Sequence, residues 1–114
     1  MSHSILKIYS STTDKVEGNL LYEHIVYLAK RKGISGVTVY RGIMGYGMSS
    51  ANINSTKFWE LTEKLPVMIE IIDATEKLEA FYKLIEPELI SMPKGCLVSM
   101  EPVLLKLQKS GKEK

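Results

Sequence analysis

The sequence predicts an α+β domain with the element order β-α-β-β-α-β. Three observations carry this: two-residue alternation at four segments, helical apolar spacing at two others, and glycine- or proline-bearing breaks between them. In that order the segments form the split β-α-β plait of the ferredoxin-like type, with both helices on one face of a four-stranded antiparallel sheet.

The first strand is read over Ile5 to Tyr9, where Leu6 and Ile8 point one way and Lys7 the other. A polar stretch from Ser10 to Gly18 follows, after which Asn19 is placed to cap a helix. The apolar stripe of that helix is Leu21, Ile25, Leu28 and Ala29, and Gly33 is its stop. Gly36 to Arg41 alternates again as a second strand. From Gly42 to Asn54 come three glycines, two serines and two asparagines without a sustained period, so a long loop is expected over about 42–56. A short strand is expected at Thr56 to Leu61. Val67, Ile69 and Ile71 alternate with Met68, Glu70 and Ile72, and apolar content on both faces marks an interior strand.

Asp73 followed by Glu76 resembles a helix start, and Leu78, Phe81, Tyr82, Ile85 and Leu89 give that second helix its apolar face. Pro87 is expected to kink it or begin a new turn, because a proline ring clashes with the preceding turn. Ser91 to Gly95 reads as a turn. Cys96 to Leu107 reads as the last strand, with Pro102 at a break or an edge position. The polar tail over 108–114 is expected to fray.

Composition bounds function. One hydrophobic core fits 114 residues that are 45% hydrophobic and 25% charged, so residues 1–114 are read as one domain. Fifteen basic against thirteen acidic side chains leave a net charge of +2, too little to make a nucleic-acid backbone the expected partner. The single Cys96 excludes a disulfide framework within the chain and a cysteine zinc cage. Neither an export leader nor a run of the ~18 apolar residues that span a membrane is evident, and a cytoplasmic location is expected.

Chemistry concentrates at Arg41-Gly42-Ile43-Met44-Gly45-Tyr46-Gly47, where a strand runs into the long loop. Glycines allow positive φ and close backbone approach, so successive amides can form an anion nest, and the planar guanidinium of Arg41 suits a phosphate or carboxylate. A turn with glycines at its bends explains the same spacing equally well. The spacing fits neither the dinucleotide fingerprint nor a Walker loop. Lys94-Gly95, in the turn before the last strand, is a second anion candidate or a solvated turn. Glu70 requires a partner in its apolar strand, either Lys7 or Arg41 or a ligand's ribose or base. Met44, Tyr46 and Met48 form an apolar group that packs on the protein itself or awaits a partner. His3, His24 and Cys96 assemble no catalytic constellation and no metal site.

Gly36-Val37-Thr38-Val39, Gly45-Tyr46-Gly47, Leu65 to Ile72 and Lys77-Leu78-Glu79-Ala80 resemble the PII signalling proteins and their PII-like relatives. Glu17-Gly18, Leu21-Tyr22-Glu23, Arg41 to Gly47 and Leu65-Pro66 resemble more specifically the DUF190 (UPF0166) branch, over Leu6 to Leu107. The resemblance implies a homotrimer with sheets around a central axis and an adenine nucleotide in each cleft between subunits. Matched by motif, Thr38 stands near the base, Gly45-Tyr46-Gly47 at the loop base, and Lys94-Gly95 at the phosphate turn. With Arg41, Gly42 and Glu70 they make the proposed nucleotide site. The loop over 42–56 is then the arm that reports occupancy to a target protein.

The departures also carry information. PII proteins follow the loop-base glycines with Arg-Gln-Lys, whereas this chain has Met48-Ser49-Ser50. The arginines of their last strand fall near Leu105 and Leu107, leaving Lys106 and Lys109 as imperfect replacements. Fewer cations favour AMP or ADP over ATP. No catalysis and no catalytic cofactor are expected. The alternatives are a divalent-metal-handling trimer of the cation-tolerance type and a small acylphosphatase-like hydrolase. An RNA-binding plait is disfavoured, because the interior strand lacks aromatics.

Overall fold

The computed structural model describes residues 2–47, 54–55 and 64–112. Strand β1 spans His3–Ser11, and the short strands β2 (Lys15–Val16) and β3 (Asn19–Leu20) form a hairpin before helix α1 (Leu21–Arg31). Strand β4 (Val37–Arg41) leads to two further short strands, β5 (Met44–Gly45) and β6 (Asn54–Ser55). Strand β7 (Pro66–Ala74), helix α2 (Thr75–Ser91) and strand β8 (Leu97–Val103) complete the chain order. The main sheet is four-stranded in the order β4-β7-β1-β8, and every adjacent pair is antiparallel.

Register assigns the two faces. Leu6 lies opposite Ile71, Ile8 opposite Ile69, and Val39 opposite Ile69 from the other side, so these residues share one face. On that face Ile8, Ile69 and Ile71 are fully buried against α1 through Leu21 and Ile25 and α2 through Leu78 and Ile85. Burying each such side chain contributes about 1.5–3 kcal/mol, and this seam holds the two layers together. The other face carries the row Tyr40, Met68, Tyr9, Leu97 and, next to it, Thr38, Glu70, Lys7, Ser99. Neither α1 nor α2 covers it, and Tyr9, Tyr40 and Leu97 are exposed there.

Several local expectations are corrected. Asn19 does not cap α1, which begins after Leu20 without a side-chain cap. It pairs with Val16, because Glu17 and Gly18 at φ 51° and 84° close a two-residue hairpin turn of the left-handed kind. The stretch after Tyr9 is likewise not simply polar loop, since β1 continues to Ser11 against Pro66. Gly33, at φ 79°, ends α1 as expected, with the Ile34 N–H donating to the Ala29 carbonyl at 3.0 Å.

Asp73 is the penultimate residue of β7 rather than a cap of α2, whose first residue is Thr75. The α2 helix runs through Pro87, which faces solvent while Ile85 and Leu89 on either side of it are buried. Core packing holds the helix across the missing hydrogen bond. The last strand is shorter than expected, ending at Val103, and Pro102 sits on an edge strand. The strand expected at Thr56 to Leu61 lies outside the described residues. No helix among the described residues is long and apolar enough to cross a membrane.

Candidate functional site

At the end of the sheet where β4 stops and β8 starts, a cleft of about 830 Å³ opens beneath the base of the long loop. Arg41, Gly42 and the run Gly45-Tyr46-Gly47 line one side, and Gly95 with Cys96 line the other. The floor on the open sheet face is apolar and aromatic, with Tyr9, Tyr40 and Met68, while Val67 lines the cleft from the helix-covered face. The topology assembles it, because β4 and β8 are the two edges of the sheet and β7 and β1 lie between them.

The loop base is more ordered than a bare glycine turn. Met44 pairs with Ser55 and Gly45 with Asn54 in a small antiparallel ladder. The Gly42 N–H donates to the Pro66 carbonyl at 2.7 Å, which extends the β4–β7 ladder past Arg41. That amide is therefore committed to the fold and does not contribute to an anion nest. The need for glycine here is close approach, not positive φ: a Cβ on Gly42 would fall 2.9 Å from Pro66 Cγ, and one on Gly45 3.4 Å from it. Met44 and Tyr46 are exposed, as an apolar group awaiting a partner would be. Met48 lies outside the described residues.

Not every candidate residue lies in this cleft. Thr38 and Glu70 face each other in register on β4 and β7 and line a second, shallower cleft of about 330 Å³ with Leu105 and Leu107. Gly95 lines the large cleft, whereas Lys94 is outside its lining. Among the described residues Glu70 makes no ion pair with Lys7, which it opposes in register, or with Arg41, and accepts a hydrogen bond from Tyr40 Oη at 3.0 Å. This bond first, and the Glu70 negative charge second, raise the pKa of Tyr40.

The reading of the residues missed Tyr9, Ser10, Asp14, Lys64 and Cys96, all of which line the large cleft. Alternation alone puts Tyr9 on the face opposite Leu6 and Ile8, but nothing local says that the face stays uncovered. The Asp14 carboxylate is buried and accepts the Ser11 N–H at 2.9 Å. Burial first, and the nearby Asp14 charge second, push the Cys96 thiol up, so it stays protonated. His24, read as solvated or packed, bridges the two helices by a 2.8 Å contact from Nε2 to Glu88 Oε1.

The plait, with its open sheet face and a glycine-based loop over a terminal cleft, has the PII-like fold. A solved structure of the PII-like protein CPII from Thiomonas intermedia K12, bound to ADP, AMP and bicarbonate, superposes with a TM-score of 0.59. It is 19% identical, covering 89% of this chain and 87% of the other. The chain belongs to the DUF190 family (uncharacterized ACR, COG1993), whose model matches residues 3–105. A UPF0166 protein of Methanocaldococcus jannaschii is 47% identical over 74 residues, 65% of this chain and 67% of the relative. A UPF0166 protein of Aquifex aeolicus is 32% identical over 105 residues, 90% of this chain and 96% of the relative.

Proposed function

We propose that this protein is a PII-like regulatory protein, without catalysis, that binds an adenine nucleotide in clefts between the subunits of a homotrimer. The observation that carries the reading is the large cleft, which brings the Gly45-Tyr46-Gly47 loop base and Gly95 to one site from distant parts of the chain. Its volume suits a nucleotide, and its aromatic floor suits a base. The ADP and AMP bound to CPII support the same ligand class here.

A trimer accounts for two otherwise separate features. The open sheet face, with its row of Tyr40, Met68, Tyr9 and Leu97, leaves a contiguous apolar patch in water unless another copy covers it. Thr38 and Glu70, in their own shallow cleft, then meet the ligand held by a neighbouring subunit's large cleft. AMP or ADP is preferred over ATP, because among the described residues Arg41 and Lys64 are the basic ones lining the large cleft while Leu105 and Leu107 line the shallow one. The phosphate belongs at Arg41 in this reading, with Lys94 outside the lining. The exposed Met44 and Tyr46 suit the loop over 42–56 to contact a target protein. The cation-handling alternative has no supporting geometry among the described residues, where no three His, Cys, Asp or Glu side chains group to hold a metal.

Titration calorimetry with AMP, ADP, ATP and a cyclic nucleotide tests the reading, with light scattering for the trimer. AMP or ADP is expected to bind more tightly than ATP. No binding by any of the four at sub-millimolar concentration refutes it.

A further inference from the structure

One side chain in the large cleft has an unmet chemical requirement. The hydroxyl of Ser10 is buried from water and has no hydrogen-bond partner among the described residues, yet Ser10 lines the cleft. A buried hydroxyl without a partner is destabilising, and each such group in a native structure calls for an explanation, such as a bound molecule. The position of Ser10 is fixed by register. Arg41 opposes Val67 across β4 and β7, and Val67 opposes Ser10 across β7 and β1. At the ordinary strand spacing, the backbones of Arg41 and Ser10 are therefore about 10 Å apart along one row.

The two ends of that row differ in charge. Arg41 lines the cleft as a cation at the β4 edge, whereas Asp14, close enough to Cys96 to act on its thiol, lines it with Ser10; Lys64, beside the Leu65 that bonds to Thr12, is not at the Arg41 end. A phosphate beside Asp14 is repelled by the carboxylate, whereas a neutral hydrogen-bond donor is attracted. With the Arg41 side chain reaching from its backbone toward the phosphate, one nucleoside monophosphate is long enough to meet both residues. Resting on the nucleotide reading above, we propose that Ser10, together with Asp14, contacts the ligand by accepting a hydrogen bond from an uncharged donor of the nucleoside. The donor is a ribose hydroxyl or the exocyclic amine, and the phosphate lies toward Arg41. Ser10 thus reads the nucleoside end of the ligand, and Arg41 orients it.

The test is calorimetric titration of the full chain and its Ser10→Ala variant with AMP, 2′-deoxy-AMP and inosine monophosphate. Thermal melting of both unliganded proteins accompanies it. Ser10→Ala is expected to weaken AMP binding about tenfold, the loss of one buried hydrogen bond, without lowering the unliganded melting temperature, since no native partner is lost. Whichever analogue lacks the donor that Ser10 reads binds the unsubstituted protein more weakly than AMP, but binds Ser10→Ala as AMP does. A weaker deoxy analogue assigns the ribose, and a weaker inosine analogue assigns the amine. AMP affinity unchanged in Ser10→Ala overturns this inference and leaves the nucleotide reading standing. So does a fall in affinity matched by a lower unliganded melting temperature. No binding of any nucleotide to the unsubstituted protein overturns both.

Discussion

Replacing Gly42 with alanine isolates the contact on which the loop base rests. The new Cβ falls 2.9 Å from Pro66 Cγ, about half an ångström inside the ~3.5 Å at which two carbons pack without strain. Neither partner yields easily. The proline ring is closed on its own backbone, that backbone accepts the Gly42 N–H at 2.7 Å, and Pro66 is paired with Ser11 of β1. Overpacking of this kind costs about 1–3 kcal/mol. Gly47 is the internal control, because no described residue lies within 4 Å of its added Cβ and its φ is not left-handed. There the loss of unfolded-chain freedom predicts a gain of about 0.4–1 kcal/mol for Gly47→Ala. Urea unfolding of both variants and the parent at one fixed protein concentration reads the difference, the fixed concentration keeping any assembly equilibrium constant. The midpoint falls for Gly42→Ala and rises slightly for Gly47→Ala. Equal midpoints for the two variants refute the close-approach account of Gly42.

Asp73 accepts the N–H groups of Ser35 at 2.9 Å and Ala74 at 2.7 Å. Burial pushes its carboxyl up, but those bonds and the Lys77 charge outweigh this and hold it below its ordinary value. A depressed folded value stabilises the fold above the ordinary carboxylate range and is lost as pH falls through the folded value. Asp73→Asn is therefore expected to lower stability at neutral pH by about 1.5–3 kcal/mol, with the gap to the parent closing on acidification in a series of urea melts. Ile69→Ala empties a fully buried site in the seam between sheet and helices and is expected to cost about 2–5 kcal/mol by the same measurement. Arg41→Ala, at an exposed residue, is expected to leave stability within about 0.5 kcal/mol and to weaken AMP binding by about 1–3 kcal/mol in calorimetry.

The sequence by itself determined the six main elements and, in β1, α1 and α2, the apolar side that is buried, because a period of two or of about 3.6 is a property of neighbouring residues. Ile8, Ile25 and Ile85 all point where their spacing says they must. The stop at Gly33 was legible for the same local reason. The hairpin at Glu17-Gly18, the continuation of α2 through Pro87 and the end of β8 at Val103 depend on what packs against each segment, and propensity there is overridden by context. The candidate site divides along the same line. Its glycines and Arg41 were visible as residue types in an aperiodic stretch, but the ring of Pro66 under Gly42, the separation of Thr38 and Glu70 into a second cleft and the Glu70–Tyr40 bond were not. Register between strands is set by contacts far apart in the chain, such as Arg41 with Val67 and Val67 with Ser10. Only the folded sheet lines up a cation at one edge with an unpartnered hydroxyl two strands away, and local patterning carries no record of that alignment.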